Sequence, residues 1–402
     1  MDTGPWIERL AGALKQAGAI RTPAVEAAFR NVPRHRFIET FYMRESQGEN
    51  IIPDANTDWT AVRVDPANPE AEQLDRIYSS AALPTRLTDG RPTSATSEPA
   101  LMAYMLEELQ VAPGMRVLEI GAGTGYNAAL LAELVGEGGR VTSIDVQPDV
   151  AEQARRLLAG WRPGAATVLA QDGFAGAPEA APFDRVVATV GCPDLSPRWV
   201  EQLRPAGFML LPLTHGGFCP LTRVWRDGER LLGRVIGFSG FMLMQGALAI
   251  DGMSHFGRFR PPAAGDASAQ GRMLPALAGV VPLPDERSNA ASSSSRGFWY
   301  FLALRDARPF NAVGPCTTGY GLHDDALGDV FVDTQGGRVV LDGDDALYQQ
   351  LLALHAEWQA AGSPGLDDYR LEFTPRAQRE HGPRPAGWQV ERRFFDQWVT
   401  VA

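Results

Sequence analysis

Apolar residues first fall into helical register at Trp6, Leu10 and Leu14, each four positions from the last. Gly18 interrupts that pattern, and Pro23 to Arg30 predicts a second short helix, after which NVPRHRFI ends the helical stretch. Residues 42–93 are rich in Pro, Asn, Asp and Arg with little periodicity, and read as a long irregular segment or a small subdomain. From Pro99 the pattern turns regular. PALMAYMLEEL is amphipathic, with Pro where a first-turn N–H is dispensable. RVLEI, RVTSIDV, ATVLAQDG, FDRVVATV and FMLLPL are short apolar runs of strand type. The segments GAGTGYNAALLAELV, QPDVAEQARRLLAGW and SPRWVEQLRPAG carry helical spacing between them. Strands alternating with helices predict an α/β fold, a doubly wound and mostly parallel sheet.

After Leu213 the rhythm changes. LTRVWRDGERLLGRVIGF predicts two strands joined at Asp227-Gly228. Beyond about residue 250, RFRPPAAGDASAQGR and RSNAASSSSRG read as loop or linker, with the serine run Ser292–Ser295 expected to be mobile. FWYFLALR, RVVLDG and DYRLEF read as strands, and DALYQQLLALHAEWQAAG as a helix. No internal repeat is found. Three regions result: 1–91, with the N-terminal helices and irregular insert; 92–249, the regular core; and 250–402, a C-terminal mixed α/β extension.

Composition narrows the function. The 402 residues carry 37 basic and 48 acidic side chains, a net charge of −11, and no basic patch of the kind a nucleic-acid partner requires. Lys15 is the sole lysine; with abundant Ala, Gly and Pro, this reads as coding bias rather than function. Cys192, Cys219 and Cys316 are too scattered for a disulfide framework or zinc cluster, and the six histidines show no metal-binding spacing. MDTGPWIERL lacks the regions of a signal peptide, and VIGFSGFMLMQGALAI is too short and too polar to span a bilayer. A cytoplasmic setting with neither nucleic-acid nor membrane partner is expected, while the oligomeric state is left open.

Candidate chemistry gathers at Leu118-Glu119-Ile120-Gly121-Ala122-Gly123-Thr124-Gly125, after the first regular strand and at the opening of a helix. Glycines let the backbone approach a ligand, and a helix N-terminus offers free N–H groups to an anion. Asp145 ends the next strand, where a carboxylate can accept both hydroxyls of a ribose. Glu119 stands before the glycines, and Gln171-Asp172-Gly173 lies where it can reach an adenine. Together VLEIGAGTG, SIDV, QDGF and FDRVVAT resemble the class I S-adenosylmethionine-dependent methyltransferases. Adding VPRHRFI, TSEPALMAYMLEEL and QDGFAGAPEAAPFDRVVATVGCPDLSPRWVEQLRPAGFMLLPL, the chain is similar to the protein-L-isoaspartate O-methyltransferases over roughly 1–40 and 92–247.

The resemblance implies a cofactor, S-adenosyl-L-methionine, with S-adenosyl-L-homocysteine as product. Glu119, Gly121, Gly123 and Gly125 would hold its methionine end, Asp145 its ribose, and Asp172 with Gly173 its adenine. In the family a serine before the next helix touches the substrate carboxylate. Here the stretch reads Thr96-Ser97-Glu98-Pro99, so Ser97 takes that place and Thr96 replaces an aliphatic residue. Ser97 can equally cap the helix ahead of Pro99. The long segment from Thr40 to Arg91 and the region after residue 250 depart from the ordinary repair enzyme, in which the latter is expected to have no counterpart. Both resemble longer bacterial relatives associated with ribosomally made, modified peptides such as lanthipeptides and ATP-grasp-ligated peptides. That likeness implies methylation of an Asp side chain in a precursor peptide, then succinimide or isoaspartate, with the C-terminal region recognising the peptide. The alternative is repair of isoaspartyl residues in damaged proteins.

A carboxylate is ionised at neutral pH, so the expected methyl transfer needs no general base and depends on orientation and desolvation. Of the remaining candidates, His215 reads as a loop residue or a cleft lining, and Cys192 as small packing. Asp342-Gly343-Asp344-Asp345 reads as a turn and helix cap, and Trp299 and Tyr300 as core, with peptide docking as the other reading.

Overall fold

A computed structural model describes residues 1–44, 59–250, 272–278, 280, 293–306, 309–313, 318–333, 338–378 and 386–402. Cys316 and most of the expected linker lie outside them. Helices α1 (Gly4–Gln16) and α2 (Pro23–Asn31) form where the apolar spacing places them, α2 capped by Thr22 through the Val25 N–H. The next stretch has two readings, irregular segment or small subdomain, and its described residues form strands and a helix. Strand β1 (Thr40–Arg44) pairs with β2 (Trp59–Arg63), α3 (Ala71–Ile77) follows, and β3 (Leu83–Thr88) turns into β4 (Arg91–Thr96). Asp89 and Gly90 make that turn with φ of 51° and 71°, both left-handed, as a two-residue hairpin requires.

The core follows in the expected order: α4 (Pro99–Leu109), β5 (Arg116–Ile120), α5 (Tyr126–Val135), β6 (Arg140–Asp145), α6 (Pro148–Trp161), β7 (Thr167–Ala170) and β8 (Phe183–Ala188). Helix α7 (Pro197–Gln202) stops five residues before the expected Gly207, and β9 (Leu203–Pro212) begins at once. Pro205 disfavours helix at Arg204, and Leu203 pairs with Phe183 instead. β10 (Pro220–Asp227) and β11 (Arg230–Phe238) form the hairpin expected at Asp227-Gly228.

The C-terminal region contains β12 (Arg272–Leu274), α8 (Ser293–Arg305), β13 (Pro309–Val313), β14 (Thr318–Asp324), β15 (Gly328–Asp333) and β16 (Arg338–Gly343). They are followed by α9 (Asp345–Ala360), β17 (Tyr369–Pro375), β18 (Trp388–Glu391) and β19 (Phe395–Val401). FWYFLALR, read as a strand, is helical: Phe298 to Ala303 are buried on every side, and a short all-apolar run carries no period to tell helix from strand. Ser293–Ser295 open that helix, while Ser292 lies outside the described residues. Asp344 caps α9 by accepting the Ala346 N–H at 2.7 Å, as its sequence suggested.

One ten-stranded sheet runs β18-β19-β17-β11-β10-β9-β8-β5-β6-β7. Strands β7, β6, β5, β8 and β9 are parallel to one another, and the rest join antiparallel, so the sheet is mixed rather than mostly parallel. Three strands from beyond residue 250 complete this sheet, and the boundary expected there does not interrupt it. A second sheet, β12-β16-β15-β14-β13, packs with α9. The central strands are buried on both faces, as parallel strands are. Val117, Val187, Phe208 and Leu210 face a core shared with α1, α2 and α4–α6; Leu118, Ile120, Val186, Met209 and Leu211 face one shared with the C-terminal region. Among the described residues no helix is long and apolar enough to cross a membrane.

Candidate active site

From β5 the chain crosses to β6 on one side and returns to β8 on the other. The carboxyl ends of β5 and β8 therefore part into a crevice, the usual ligand position in such sheets. The glycine loop fills its floor. Gly121 and Ala122 donate their N–H groups to Ile144 O at 2.8 and 3.0 Å, tying the loop to β6. Gly121 has φ of 101°, and a Cβ there would stand 2.7 Å from Thr189 Oγ1, so no side chain fits. Thr189, just past β8, donates that hydroxyl to Gly121 O at 2.6 Å. Gly125 has φ of 84° and lets α5 start against Leu158 and Ala154 of α6. Gly123 sends its N–H to Asp145 Oδ2 at 3.0 Å, while Asp145 Oδ1 accepts the Gln147 N–H at 3.0 Å. Burial pushes the Asp145 carboxyl up, and these backbone donors partly oppose the shift.

Glu119, expected to hold the methionine end, lies behind the glycine loop. It is fully buried, its oxygens taken by Asn127 Nδ2 at 2.7 Å and Ser143 Oγ at 2.5 Å. Burial raises its pKa to about 7 against those two donors. Its carboxylate thus ties the first turn of α5 to β6 behind the loop, a positioning role. Gly173 packs its backbone on Ile120, where a Cβ would come within 2.6 Å of Cγ2. Asp172 accepts the Phe174 N–H at 2.8 Å and the Ala247 N–H at 2.7 Å.

Ser97 and Thr96 arrive from the other side. β4 ends over the loop: a Cβ on Gly123 would be 3.4 Å from Ala95 O and 3.8 Å from Ser94 Oγ. Ser97 is not the N-cap of α4; Glu98 holds that position, and its side chain makes no capping bond to the helix. Thr96 is buried, and its Oγ1 has no hydrogen-bond partner. The structure brings in residues that the sequence reading left without a role. Arg34 is completely buried and donates to Ile77 O at 2.6 Å, Ser79 O at 3.3 Å, Ala81 O at 3.2 Å and Ser97 O at 3.0 Å. Burial lowers its pKa to about 10, with Glu98 among the groups that oppose the shift. Arg86 binds Asp149 at 2.7 Å and Gln147 Oε1 at 2.6 Å, fastening the β3–β4 hairpin to the start of α6. VPRHRFI contained Arg34, but nothing in the sequence marks which arginine is buried.

Cys192 is buried and its thiol pKa is pushed far up, which fits packing and not nucleophilic work. His215 is pushed down to about 4, chiefly by burial. Trp299 and Tyr300 are core residues, packed with Phe218 at ring distances of 4.6 and 5.5 Å.

These residues suit S-adenosylmethionine. At the N-terminus of α5 the N-cap Gly125 offers no side chain, and apart from the Tyr126 N–H, which donates to Thr124 Oγ1 at 3.4 Å, the first-turn N–H groups can meet a carboxylate. Asp145 ends β6 with its carboxylate tied to the loop at Gly123, and the buried Thr96 hydroxyl has no hydrogen-bond partner.

A profile of the protein-L-isoaspartate(D-aspartate) O-methyltransferase family matches residues 71–236. The protein-L-isoaspartate O-methyltransferase of Methanopyrus kandleri is 36% identical over 226 residues, 55% of this chain and 84% of that relative. Protein-L-isoaspartate O-methyltransferase 2 of Archaeoglobus fulgidus is 33% identical over 213 residues, 53% of this chain and 80% of its own. A solved structure of a protein-L-isoaspartate O-methyltransferase superposes with a TM-score of 0.51 at 22% identity, spanning 91% of this chain and 96% of its own. That likeness is one of fold, and it extends past residue 250, so the expectation that this region lacks any counterpart is corrected. The glycine loop, its acidic neighbours and the serine segment above them thus sit in a methyltransferase that uses S-adenosylmethionine, and the chain belongs to the protein-L-isoaspartate O-methyltransferase family.

Proposed function

We propose that the chain methylates the free carboxylate of isoaspartyl residues in peptides or proteins. The observation that supports this best is the end of β4 lying on the glycine loop, with Ala95 O and Ser94 Oγ over Gly123 and Thr96-Ser97 following next in the chain. Bound cofactor would supply a methyl group on a positively charged sulfur, to be taken by a carboxylate oxygen as the C–S bond breaks. No proton moves, so no base is required. Ser97 donates its hydroxyl to the carboxylate and aims it, and Arg34 fixes the Ser97 backbone from beneath. Asp145 accepts from the ribose hydroxyls, and the amides at the start of α5 meet the methionine carboxylate. Asp172 keeps lone pairs free for the adenine amino group beside Gly173.

A second reading is methylation of an ordinary Asp in a dedicated precursor peptide, with collapse to succinimide or isoaspartate. The described strands and helix of residues 40–44 and 59–96, whose last strand ends over the glycine loop, favour it by enlarging the surface beside the substrate. The C-terminal region does not separate the readings, because the fold of a solved chain bearing the repair enzyme's name also spans it. Two peptides identical except for Asp or isoaspartate at one position, incubated with S-adenosylmethionine and followed by mass spectrometry, decide between them. A 14 Da gain on the isoaspartyl peptide alone is expected. Methylation of the Asp peptide alone, or only of a full-length precursor, would favour the second reading.

A further inference from the structure

The strands that the C-terminal region adds lie at the far edge of the sheet, and the turn between two of them reaches back to Asp172. The turn between β18 and β19 carries Arg392, Arg393 and Phe394. Exposed Arg393 donates from Nη1 to Ala247 O. Ala247 in turn gives its N–H to Asp172 Oδ2, and the other Asp172 oxygen accepts from Phe174. The Phe174 ring lies 5.2 Å from the ring of Phe394, tilted by 30°. A closed circuit results: Arg393, Ala247, Asp172, Phe174, Phe394.

Two observations show how tightly this circuit is drawn. Gly246 has φ of 82°, and a Cβ on it would stand 2.4 Å from Asp172 Oδ2, so the segment lies directly on the carboxylate. Beneath the turn, buried Arg392 donates to Gln397 Oε1 at 2.8 Å, Pro193 O at 2.5 Å and Thr214 O at 3.0 Å. Asp194 offsets the charge of Arg392 and accepts the Phe394 N–H. Bonds from a charged, fixed guanidinium give the turn one orientation.

We propose that this turn clamps the adenine end of the cofactor site, with Arg393 and Phe394 as positioning residues for Asp172 and Gly173. The C-terminal region then sets cofactor affinity, whatever it contributes to peptide recognition. The inference rests on the reading that Asp172-Gly173 meet the adenine.

Affinity for S-adenosylhomocysteine by calorimetry, with kcat and KM for S-adenosylmethionine, tests it in the full chain. Arg393→Ala and Phe394→Ala are expected to weaken cofactor affinity about fivefold to tenfold, the worth of one charged hydrogen bond or ring contact. The kcat at saturating cofactor should stay within about twofold. Arg393→Lys retains a donor toward Ala247 O and should recover most of the affinity. Asp172→Asn is measured in parallel. If it weakens binding while both alanine variants bind normally, the clamp is overturned. If Asp172→Asn itself binds normally, the adenine reading beneath the clamp falls. A Phe394→Ala chain that melts lower but binds normally would make that ring merely structural.

Discussion

The two faces of the central sheet are covered in different ways. On one face, α1, α2 and α4–α6 pack in the regular manner of crossover helices, and polar groups penetrate the packing: Arg34 is fully buried among carbonyls and Glu119 is fully buried between Asn127 and Ser143. On the other, the C-terminal region is joined through aromatic rings. Trp299 lies 4.6 Å from Phe218 and 4.8 Å from Phe238, and stacks on Tyr320 at 5.1 Å. Buried polar groups fix direction, whereas apolar area supplies stability with little direction. The first face therefore orients the reacting parts through buried polar groups, and the second holds the chain together mainly through rings, with buried Arg392 and Asp194 fixing direction at the β18–β19 turn.

The largest expected effect lies on the aromatic face. Trp299→Ala should cost about 3–5 kcal/mol of stability, as large buried aromatics do, while folded protein keeps its kcat. A denaturant melt paired with a turnover assay checks this, and a lost kcat in fully folded enzyme would break the contrast between the faces. Next comes Arg34→Leu, which leaves four buried carbonyls without their donor. A loss of about 3 kcal/mol or more is expected, here together with a fall in kcat because Ser97 is released. At the seam, Gly121→Ala forces a side chain into φ of 101° against Thr189. Strain of about 1–3 kcal/mol should appear as roughly tenfold or greater weakening of cofactor binding by calorimetry.

Glu119→Gln gives the smallest and most specific effect. The native carboxyl titrates near 7 and the unfolded one near 4.5. Between these pH values the folded chain keeps a proton that the unfolded chain has lost. Stability from this group is thus full below pH 4.5 and declines as pH rises toward 7. The Gln variant lacks that decline, so its Tm relative to the parent should improve between pH 5 and pH 8. A constant difference across that range would mean the carboxyl is ionised throughout.

The same contrast governs what was legible in the sequence. The crossover strands and helices of the core were readable because each carries a period, and the glycine loop because its chemistry demands glycine. Gly121, Gly123, Asp145 and Gly173 accordingly meet at one crevice. The C-terminal region was legible in part: RVVLDG, DALYQQLLALHAEWQAAG and DYRLEF form β16, α9 and β17 as read, whereas FWYFLALR has no polar side to reveal a period, and pairing of β17 with β11 joins residues about 140 apart. In residues 40–96, Asp89-Gly90 is a turn dipeptide that the sequence reading passed over, and the pairing of Thr40 with Arg63 left no local mark. Buried charges escaped for a different reason. Arg34 and Glu119 look like any surface arginine or cofactor acid until packing shows what surrounds them.

The division of labour at the crevice is tested most directly by measuring two quantities in two variants, S-adenosylhomocysteine affinity and kcat on an isoaspartyl peptide, for Asp145→Asn and Ser97→Ala. A crossover is expected. Asp145→Asn should weaken affinity about tenfold or more with kcat at saturation largely kept, while Ser97→Ala should bind normally and lose about tenfold or more in kcat, the worth of one hydrogen bond to a charged group. If Ser97→Ala instead loses cofactor affinity and turns over normally once saturated, the serine segment is part of the cofactor's seat and does not aim the carboxylate.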